Sequence, residues 1–552
     1  MPGLVPYDAE AVARYRSLGW WTGRSLSAEL VAAAAGYRDR VALVTPEVSW
    51  SYDELFRRSA ALAAGLARSG LQVGDPVMFQ MANVAETVVA YLGCLLAGAR
   101  PVCTLPQHGV REIGLLAAHT GADTLICQAD FRDGQLVGNA RQLVGDGAIE
   151  RVVVARGEAF PGAVSFAEVS AAGEGAAADR LPGMTVDPDE IAVFQLSGGT
   201  TGLPKVAPRL HEEYAYNSRA WAAAMDYTTD SRLLYPLPLM HNAGISLAVQ
   251  PALLTGARLV LAPSAEIGAV LELVRAHRPD VLPLVPPALA IRLLEWPGIG
   301  PADLASVRDF VVGGQKLPVE VAERLRDELG IPVRQMFGMA EGMFLLTPAD
   351  AGERVRHHTV GAPISPGDEV RVLSPAGAEQ VPDGEIGELA TRGPYTIRGY
   401  YRAEQHNRSA FTSDGFYRTG DLARRHVDPT GTYYSIEGRL KDVINRGVEK
   451  IHAEEVEELI VLHPAVVTAA LVAMPDPVLG ERGCAYVVLE PGAEPLTVQS
   501  LGEHLLALGL ARYKLPERVE VVAALPLTNV GKVSKKTLRE DVEQRIAAEQ
   551  GQ

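Results

Sequence analysis

The fold of this chain is first indicated by ten residues that follow an apolar run at 191–195: Leu196-Ser197-Gly198-Gly199-Thr200-Thr201-Gly202-Leu203-Pro204-Lys205. The apolar run predicts a buried strand. Glycines let backbone N–H groups approach an anion, hydroxyls add donors, and the lysine adds a point charge, so the loop predicts a binding site for a phosphate chain. The spacing before the lysine, and the lack of a following Ser or Thr, distinguish it from a Walker A loop. The alternative is a flexible Gly/Thr surface turn, which rarely combines all three donor types.

Length and composition predict a large multidomain protein without a nucleic-acid-binding surface. The chain has 552 residues, so two or three domains are expected, and its hydrophobic content of 47% allows large cores. The net charge of −16 disfavours nucleic acid as a partner. The four cysteines are scattered without metal-binding spacing. Because no signal-peptide pattern and no long apolar run is present, we expect a cytoplasmic protein with no membrane span.

Alternating strand-like and helical segments predict an α/β fold, with helices packed on mostly parallel sheets. The strand–helix pairs lie at 77–81 and 86–96, at 258–261 and 267–275, and at 309–312 and 318–329. The low-complexity segment 168–180 is interpreted as a surface linker. After residue 439 the pattern changes, and short charged segments with new strands and a helix indicate a separate small C-terminal domain. These new elements are predicted at 466–473, 483–489 and 501–508.

Five further segments that carry chemistry lie after the loop. They are Gln335-Met336-Phe337-Gly338-Met339-Ala340-Glu341, Tyr417-Arg418-Thr419-Gly420-Asp421, Gly438-Arg439-Leu440-Lys441-Asp442, Asn445-Arg446-Gly447-Val448-Glu449-Lys450 and Pro526-Leu527-Thr528-Asn529-Val530-Gly531-Lys532. With the loop, they resemble the adenylate-forming superfamily of acyl-CoA synthetases, peptide-synthetase adenylation domains and luciferases. Together with His241-Asn242 and Val443-Ile444-Asn445-Arg446-Gly447, they most resemble stand-alone aryl-acid ligases that activate 2,3-dihydroxybenzoate or salicylate.

This resemblance implies a fold and a reaction. The expected fold is α/β, α+β in part, with a large N-terminal domain of helix-flanked β-sheets at 1–438. A small mobile α+β domain at 442–552 would swing about a hinge at Lys441, because a charged, solvated residue tolerates the backbone change. The carboxylate of the aryl acid attacks the α-phosphorus of ATP, giving an acyl-adenylate and pyrophosphate. The phosphopantetheine thiol of a carrier protein then attacks the acyl carbon and releases AMP.

The same resemblance assigns roles to individual residues, with ATP and Mg²⁺ as cofactors. Residues expected to bind ATP are Ser197, Gly198, Gly199, Thr200, Thr201, Gly202 and Lys205 at the phosphates, Phe337 and Gly338 at adenine, Asp421 at the ribose hydroxyls, Arg439, and Lys532. Glu341 is expected to ligate Mg²⁺. Lys532 would stabilise the charge that grows between carboxylate and α-phosphate, and it is the main catalytic candidate, with Glu341, His241 and Lys441.

The acyl pocket departs from the pattern of these relatives. Asn242 stands where α-amino-acid-activating domains place an aspartate, and a neutral amide leaves an ammonium unpaired, so α-amino acids are disfavoured. An amide suits an ortho hydroxyl or amino group on a ring. Ala243 replaces a tyrosine, and Leu247 replaces a small polar residue that binds a 3-hydroxyl. Gly313 and Gly314 are expected to form a flat wall, and Met339 also belongs to the predicted pocket.

The expected substrate is therefore a 2-hydroxy- or 2-amino-substituted aryl acid larger than, or different from, 2,3-dihydroxybenzoate, used in siderophore or other natural-product biosynthesis. Alternatively, Met240 or Phe344 fills the space beside Ala243 and the pocket is ordinary. Val448 replaces a glycine beside the expected pantetheine path. Three other functions remain open: an aryl-CoA ligase that uses free coenzyme A, a catalytically silent nucleotide-binding protein, and an oxygenase of the luciferase kind.

Overall fold

The computed structural model describes residues 2–197, 205–374, 377–446, 449–476, 479–508, 510, 512–528 and 532–550. The contacts between residues divide the chain into two compact units. The first unit comprises Met1–Val370 and Thr391–Tyr417. The second comprises Arg371–Ala390 and Arg418–Gln552. This division reflects where contacts between residues are dense. The predicted domain boundary at 438/442 and the predicted hinge at Lys441 concern motion, so the boundary and the hinge stay predictions.

Strands alternate with helices along most of the chain. The strands are β1 (Val41–Val44), β2 (Ser49–Ser51), β3 (Pro76–Gln80), β4 (Arg100–Val102), β5 (Thr124–Gln128), β6 (Arg151–Ala155), β7 (Val164–Ser165), β8 (Ile191–Ser197), β9 (Lys205–Leu210), β10 (Arg232–Tyr235), β11 (Arg258–Leu261), β12 (Val281–Val285), β13 (Asp309–Gly313), β14 (Val333–Gly338), β15 (Phe344–Leu346), β16 (Ala362–Pro363), β17 (Glu369–Leu373), β18 (Ile386–Arg392), β19 (Tyr417–Asp428), β20 (Gly431–Arg439), β21 (Val443–Arg446), β22 (Glu449–His452), β23 (Val466–Asp476), β24 (Gly480–Leu489) and β25 (Arg518–Val521).

The helices lie between these strands. They are α1 (Ala9–Ser17), α2 (Leu26–Gly36), α3 (Tyr52–Arg68), α4 (Ala85–Leu96), α5 (Val110–Thr120), α6 (Gln135–Gly145), α7 (Phe166–Ala172), α8 (His211–Ala224), α9 (Gln250–Thr255), α10 (Ile267–His277), α11 (Pro287–Leu294), α12 (Pro301–Leu304), α13 (Val319–Leu329), α14 (Glu353–His358), α15 (Glu404–Ala410), α16 (Ala453–Ile460), α17 (Val498–Ala507) and α18 (Lys535–Gln550). No helix in the described part of the chain is both long and apolar enough to cross a membrane.

Two large sheets form the framework of the first unit. One has nine strands in the order β16-β15-β14-β13-β12-β10-β11-β1-β2, and the other has seven in the order β7-β6-β5-β3-β4-β8-β9. The central pairs are parallel, as in β12–β13–β14 and β3–β5–β6. Antiparallel strands close both ends of the nine-stranded sheet and the β9 end of the seven-stranded sheet, whose other end strand, β7, is parallel to β6. The strands are mostly buried because helices cover the sheets. The predicted α/β class is confirmed.

The predicted strand–helix pairs of the first unit are confirmed as β3–α4, β11–α10 and β13–α13. The surface-linker interpretation of residues 168–180 is wrong at its start. Helix α7 covers Phe166–Ala172, and its N-cap Ser165 forms a capping box with Glu168. Val169 is buried, and Gly173 lies against the backbone of α3. The S-x-x-E pattern was the signal that marks this helix in the sequence.

The second unit carries two smaller sheets. One has the order β17-β18-β19-β20, and the other has the order β22-β21-β24-β23, with β25 paired to β24. The predicted strands and helix of this region are confirmed as β23, β24 and α17. A compact core forms between the second sheet and helices α16 and α17, where Val456, Leu471 and Leu505 are fully buried.

Candidate active site

The predicted phosphate loop is framed by two paired strands. Strands β8 and β9 run antiparallel, and their register ends on the pair Ser197–Lys205. Ser197 is buried and Lys205 is half-buried. Between them lie residues 198–204, including the predicted ligands Gly198, Gly199, Thr200, Thr201 and Gly202, and these lie outside the described residues. The strand register therefore fixes both ends of the loop.

Glu341 lies in a buried polar group beyond β14. Its side chain accepts hydrogen bonds from the Tyr400 hydroxyl and, at 3.3 Å, from the Tyr417 hydroxyl, and the two hydroxyls lie 2.8 Å apart. The backbone at Gly342 holds this turn, because its φ is +105° and a Cβ there would lie 1.9 Å from the Tyr395 carbonyl oxygen. Only glycine fits at this position. Neither Tyr400 nor Tyr417 was predicted from the sequence to contact Glu341.

Lys205 lies beside the same group. Its Nζ lies 5.2 Å from the ring centroid of Tyr400. Burial lowers the pKa of Lys205, and the nearby Glu341 carboxylate opposes that effect. A cation and a carboxylate therefore lie close together at the end of the phosphate loop.

The geometry at Glu341 fits a magnesium ion. Among the described residues, the hydrogen bonds to this carboxylate all end on Oε1. Mg²⁺ in nucleotide sites commonly takes one or two carboxylates and completes its shell with phosphate oxygens and water. The described part of the chain contains no group of three acidic, His or Cys side chains that would form an all-protein cage. One buried carboxylate near Lys205, at the end of the predicted phosphate loop, matches the first arrangement.

The predicted adenine-contacting residues lie at the end of β14. Phe337 is half-buried and pairs with Leu345 of β15, whereas Gly338 is exposed. A Cβ at Gly338 would lie 2.3 Å from the Phe344 ring, so a larger residue would displace that ring. Met339, half-buried, follows directly. An aromatic face at the open end of a strand is suited to stacking against a base.

The predicted acyl-pocket residues begin a helical segment. His241 Nδ1 accepts from the Ala243 backbone at 3.3 Å, and a π-helical turn covers Gly244–Val249. Asn242, Ala243 and Leu247 are all buried. π-helical turns are rare and occur often at functional sites.

The predicted flat wall lies at the end of β13. A Cβ at Gly313 would lie 2.8 Å from Met336 and 3.0 Å from Leu284, so the neighbouring side chains occupy the space that a larger residue would need. Gly314 follows with a φ of +88°.

A buried arginine lies beside Asn242 and was not predicted from the sequence. Arg209 is fully buried and forms a two-point ion pair with Glu213, with Nε–Oε1 and Nη2–Oε2 distances of 2.9 and 2.8 Å. Its remaining N–H groups donate to Asn217 Oδ1, to the carbonyls of Ala340 and Tyr395, and to Asn242 Oδ1. The Arg–Glu spacing of four residues was visible in the sequence, but it is equally typical of an exposed helix pair.

The remaining predicted ATP ligands lie in the second unit, where Asp421 and Arg439 face each other across paired strands. They are register partners in β19 and β20, and Arg439 Nε donates to Asp421 Oδ1 at 3.0 Å. Lys532 lies near both. Its pKa is lowered by burial and then by the charge of Arg439, while Asp421 and Glu454 raise it. The structure therefore brings these three predicted residues together, with Glu454 as a second carboxylate near Lys532.

Lys441 lies in a single 3₁₀ turn, Leu440–Asp442, that directly follows β20. It is exposed, as a hinge residue that changes backbone conformation would need to be. The departure at Val448 lies outside the described residues.

Comparisons with known proteins identify the family of the chain. The family model of the AMP-binding enzyme matches residues 30–401, and that of the AMP-binding enzyme C-terminal domain matches residues 455–532. The chain is 42% identical over 546 residues to the salicylyl-CoA synthase / salicylate adenylyltransferase of Streptomyces sp, covering 98% of each. It is 39% identical to the 2-hydroxy-7-methoxy-5-methyl-1-naphthoate--CoA ligase of Streptomyces carzinostaticus, covering 97% of this chain and 96% of that one.

A solved structure extends this similarity to the fold. The apo structure of Mycobacterium smegmatis MbtA matches with a TM-score of 0.74 and 37% identity, covering 98% of both chains. The resemblance drawn from the motifs is confirmed, and so is the predicted combination of a large N-terminal and a small C-terminal domain.

Proposed function

The chain belongs to the AMP-binding enzyme family and is an adenylate-forming aryl-acid–AMP ligase, and from that premise we propose that it activates an ortho-substituted aryl acid larger than 2,3-dihydroxybenzoate. The acyl group of the adenylate is then transferred to the phosphopantetheine thiol of a carrier protein, and AMP leaves. The observation that carries the substrate proposal is the pair Ala243 and Leu247. Both are buried and apolar, and they lie four residues apart at one helical turn.

The chemistry of these two positions supports a larger ring. Leu247 has no polar group to pair with a 3-hydroxyl, so burying that hydroxyl against it would cost free energy. Ala243 occupies less volume than the tyrosine of the resembled ligases, which supports space for a fused or alkylated ring. A relative that is 39% identical is named for a bicyclic naphthoate, which is an acid of this size.

The remaining residues have proposed roles in adenylation. Glu341 would hold Mg²⁺, which supplies charge neutralisation at the phosphates when it is bound. Lys205 and the loop 198–202 would position the phosphate chain, and Asp421 would accept from the ribose hydroxyls. Lys532 would stabilise the charge that develops when the carboxylate oxygen bonds to the α-phosphorus and pyrophosphate leaves. Lys441 would be the hinge between the two half-reactions.

The proposal is tested by ATP–pyrophosphate exchange with a panel of aryl acids. We expect hydroxynaphthoates and alkylsalicylates to give a higher kcat/KM than 2,3-dihydroxybenzoate. A clear preference for 2,3-dihydroxybenzoate would contradict the large-pocket proposal.

The acceptor is the second question, because a 42% identical relative is named as a CoA synthase. We propose a carrier protein, and the alternative is free coenzyme A. Thioester formation should be measured with the preferred acid and either free coenzyme A or a holo-carrier protein. Faster transfer to coenzyme A than to a cognate holo-carrier would favour the alternative.

A further inference from the structure

The orientation of the Asn242 side-chain amide is fixed by its neighbours. Its Oδ1 faces Arg209 Nη1 at 3.4 Å and the Tyr214 hydroxyl at 2.9 Å. A guanidinium has no acceptor, so the amide atom that faces it must be the oxygen. The Tyr214 oxygen itself accepts from Gln195 Nε2 at 3.0 Å, which leaves its proton for Asn242.

Both neighbours keep their protons, which reinforces this polarity. Burial raises the pKa of Tyr214 well above its usual range, so the hydroxyl stays protonated. Burial disfavours the charged form of Arg209, but the Glu213 carboxylate outweighs that cost, and the pKa of Arg209 is raised. The set of donors around Oδ1 is therefore constant across the working pH range.

The remaining hydrogen-bonding capacity of Asn242 is one N–H. Its two acceptor positions are filled by Arg209 and Tyr214, and one of its two N–H groups donates to the Met339 carbonyl at 3.3 Å. Only a donor is left for a ligand. An acceptor atom on the substrate would satisfy that donor, whereas a donor group on the substrate would meet a second donor.

We propose that Tyr214 and Arg209 position Asn242 so that it presents only an N–H to the acyl pocket, and that the enzyme therefore selects aryl acids with an acceptor beside the carboxylate. This inference rests on the proposed function, in which Asn242 lines the acyl pocket. A phenol oxygen or a ring nitrogen is such an acceptor. An aromatic amine is not, because its lone pair is delocalised into the ring and its hydrogens are donors. The 2-amino alternative of the sequence analysis is thereby disfavoured.

Matched acids test the inference directly. ATP–pyrophosphate exchange is measured for salicylate against anthranilate, and for 2-hydroxy-1-naphthoate against 2-amino-1-naphthoate. Within the pair of acids that the enzyme uses better, we expect the kcat/KM of the hydroxy-substituted acid to exceed that of the amino-substituted acid by about tenfold or more. A site built around one buried hydrogen bond discriminates in this way against a substrate that cannot form the bond. Equal rates, or a preference for the amine, would overturn the inference. If no aryl acid supports exchange, the proposed function fails first, so the two failures are distinguishable.

Two variants test the positioning role. Tyr214→Phe removes one donor from Oδ1, and we expect the hydroxy-to-amino ratio to fall by about fivefold. The matched control is Tyr216→Phe, on the same helix, which removes a buried hydroxyl bonded at 2.7 Å to Ser365 and not to Asn242. The control should keep the ratio, and an equal shift in both variants would show that the effect is only structural.

Asn242→Asp is an independent test of the inference, because it keeps the shape of the side chain and replaces the N–H with an acceptor. We expect the ratio of its kcat/KM for the hydroxy-substituted acid to its kcat/KM for the amino-substituted acid to be lower than in the unsubstituted enzyme. A ratio that moves the other way would contradict the inference even if Tyr214→Phe failed to fold.

Discussion

Two charged groups of this molecule differ in how far they are buried and how completely they are paired within the protein. In the first unit, Arg209 is fully buried and every N–H of its guanidinium has a protein acceptor. In the second unit, the Arg439 side chain is 43% exposed, and Lys532 lies near it with Asp421 and Glu454 as nearby carboxylates. The first group is saturated and gives a fixed geometry, whereas the second is partly exposed and has two cations beside two carboxylates. In the proposed function, specificity depends on the first group and charge stabilisation on the second.

The largest expected effect is a loss of stability when the saturated group loses the counter-charge of Arg209. Glu213→Gln leaves the buried Arg209 without its counter-charge, which should lower the free energy of unfolding by about 3–5 kcal/mol. The matched variant is Asp421→Asn, which leaves Arg439 partly in water and should cost only about 0–1 kcal/mol. Denaturant unfolding of both variants measures the difference. Equal losses would show that burial does not distinguish the two pairs.

The next largest expected effect is a loss of catalytic activity when Lys532 of the second group is replaced. Lys532→Ala should reduce acyl-adenylate formation by about 10²-fold or more, because a charge contact made in the transition state is lost. Transfer from supplied acyl-adenylate should decrease much less. Lys536→Ala is the control, since that lysine is exposed and 3.7 Å from Glu540. Equal loss in both half-reactions would contradict the role of Lys532.

A substitution at Lys441 should have the opposite effect to one at Lys532, because it should spare adenylation and impair thioester formation. Lys441→Pro fixes φ near about −65° and removes the backbone freedom that a hinge needs. Adenylation should survive while thioester formation falls by about 10²-fold, as expected when a conformational step is blocked. Separate assays of pyrophosphate exchange and thioester formation measure this split. A variant that performs both steps normally would place the hinge elsewhere.

A smaller effect is expected in the acyl pocket. Ala243→Tyr should disfavour large acids by about 1–3 kcal/mol through overpacking, which is about 5- to 150-fold in relative kcat/KM between large and small acids. The ratio within one variant cancels any general loss of active protein. Unchanged selectivity would show that other side chains, such as Met240 or Phe344, already fill the space.

The sequence predicted the parts of this molecule that local pattern determines. Strand β8 and the pairs β3–α4, β11–α10 and β13–α13 were predictable because each strand and helix carries its own periodicity. The partners of Glu341 and Asn242 were not. Tyr400 lies 59 residues from Glu341, and Arg209 lies 33 residues from Asn242, so only the folded chain brings them together. A buried arginine and an exposed arginine have the same appearance in a sequence.

The smallest expected effect concerns the carboxyl of Asp368, which is hydrogen-bonded to a buried tyrosine. Asp368 Oδ2 accepts from the Tyr395 hydroxyl at 2.6 Å, and that hydroxyl accepts from the Phe344 backbone N–H at 3.0 Å. Burial raises the pKa of Asp368 to about 8, against the lowering effect of its bonds to Tyr395 and to the backbone. The folded protein therefore binds a proton that the unfolded chain releases near its ordinary pKa.

The sign of the resulting pH dependence follows from linkage. Because the folded pKa is raised, the stabilising contribution is fully present below about pH 4 and is lost as the pH rises toward about 8. The slope in that window is at most about 1.4 kcal/mol per pH unit. Asp368→Asn keeps an acceptor for Tyr395 and cannot ionise, so its Tm should fall less than that of the unsubstituted enzyme between pH 5 and pH 8, as thermal unfolding at fixed ionic strength would measure. Identical slopes would mean that Asp368 is ionised throughout this range, and the first unit would then contain a buried carboxylate as well as a buried guanidinium pair.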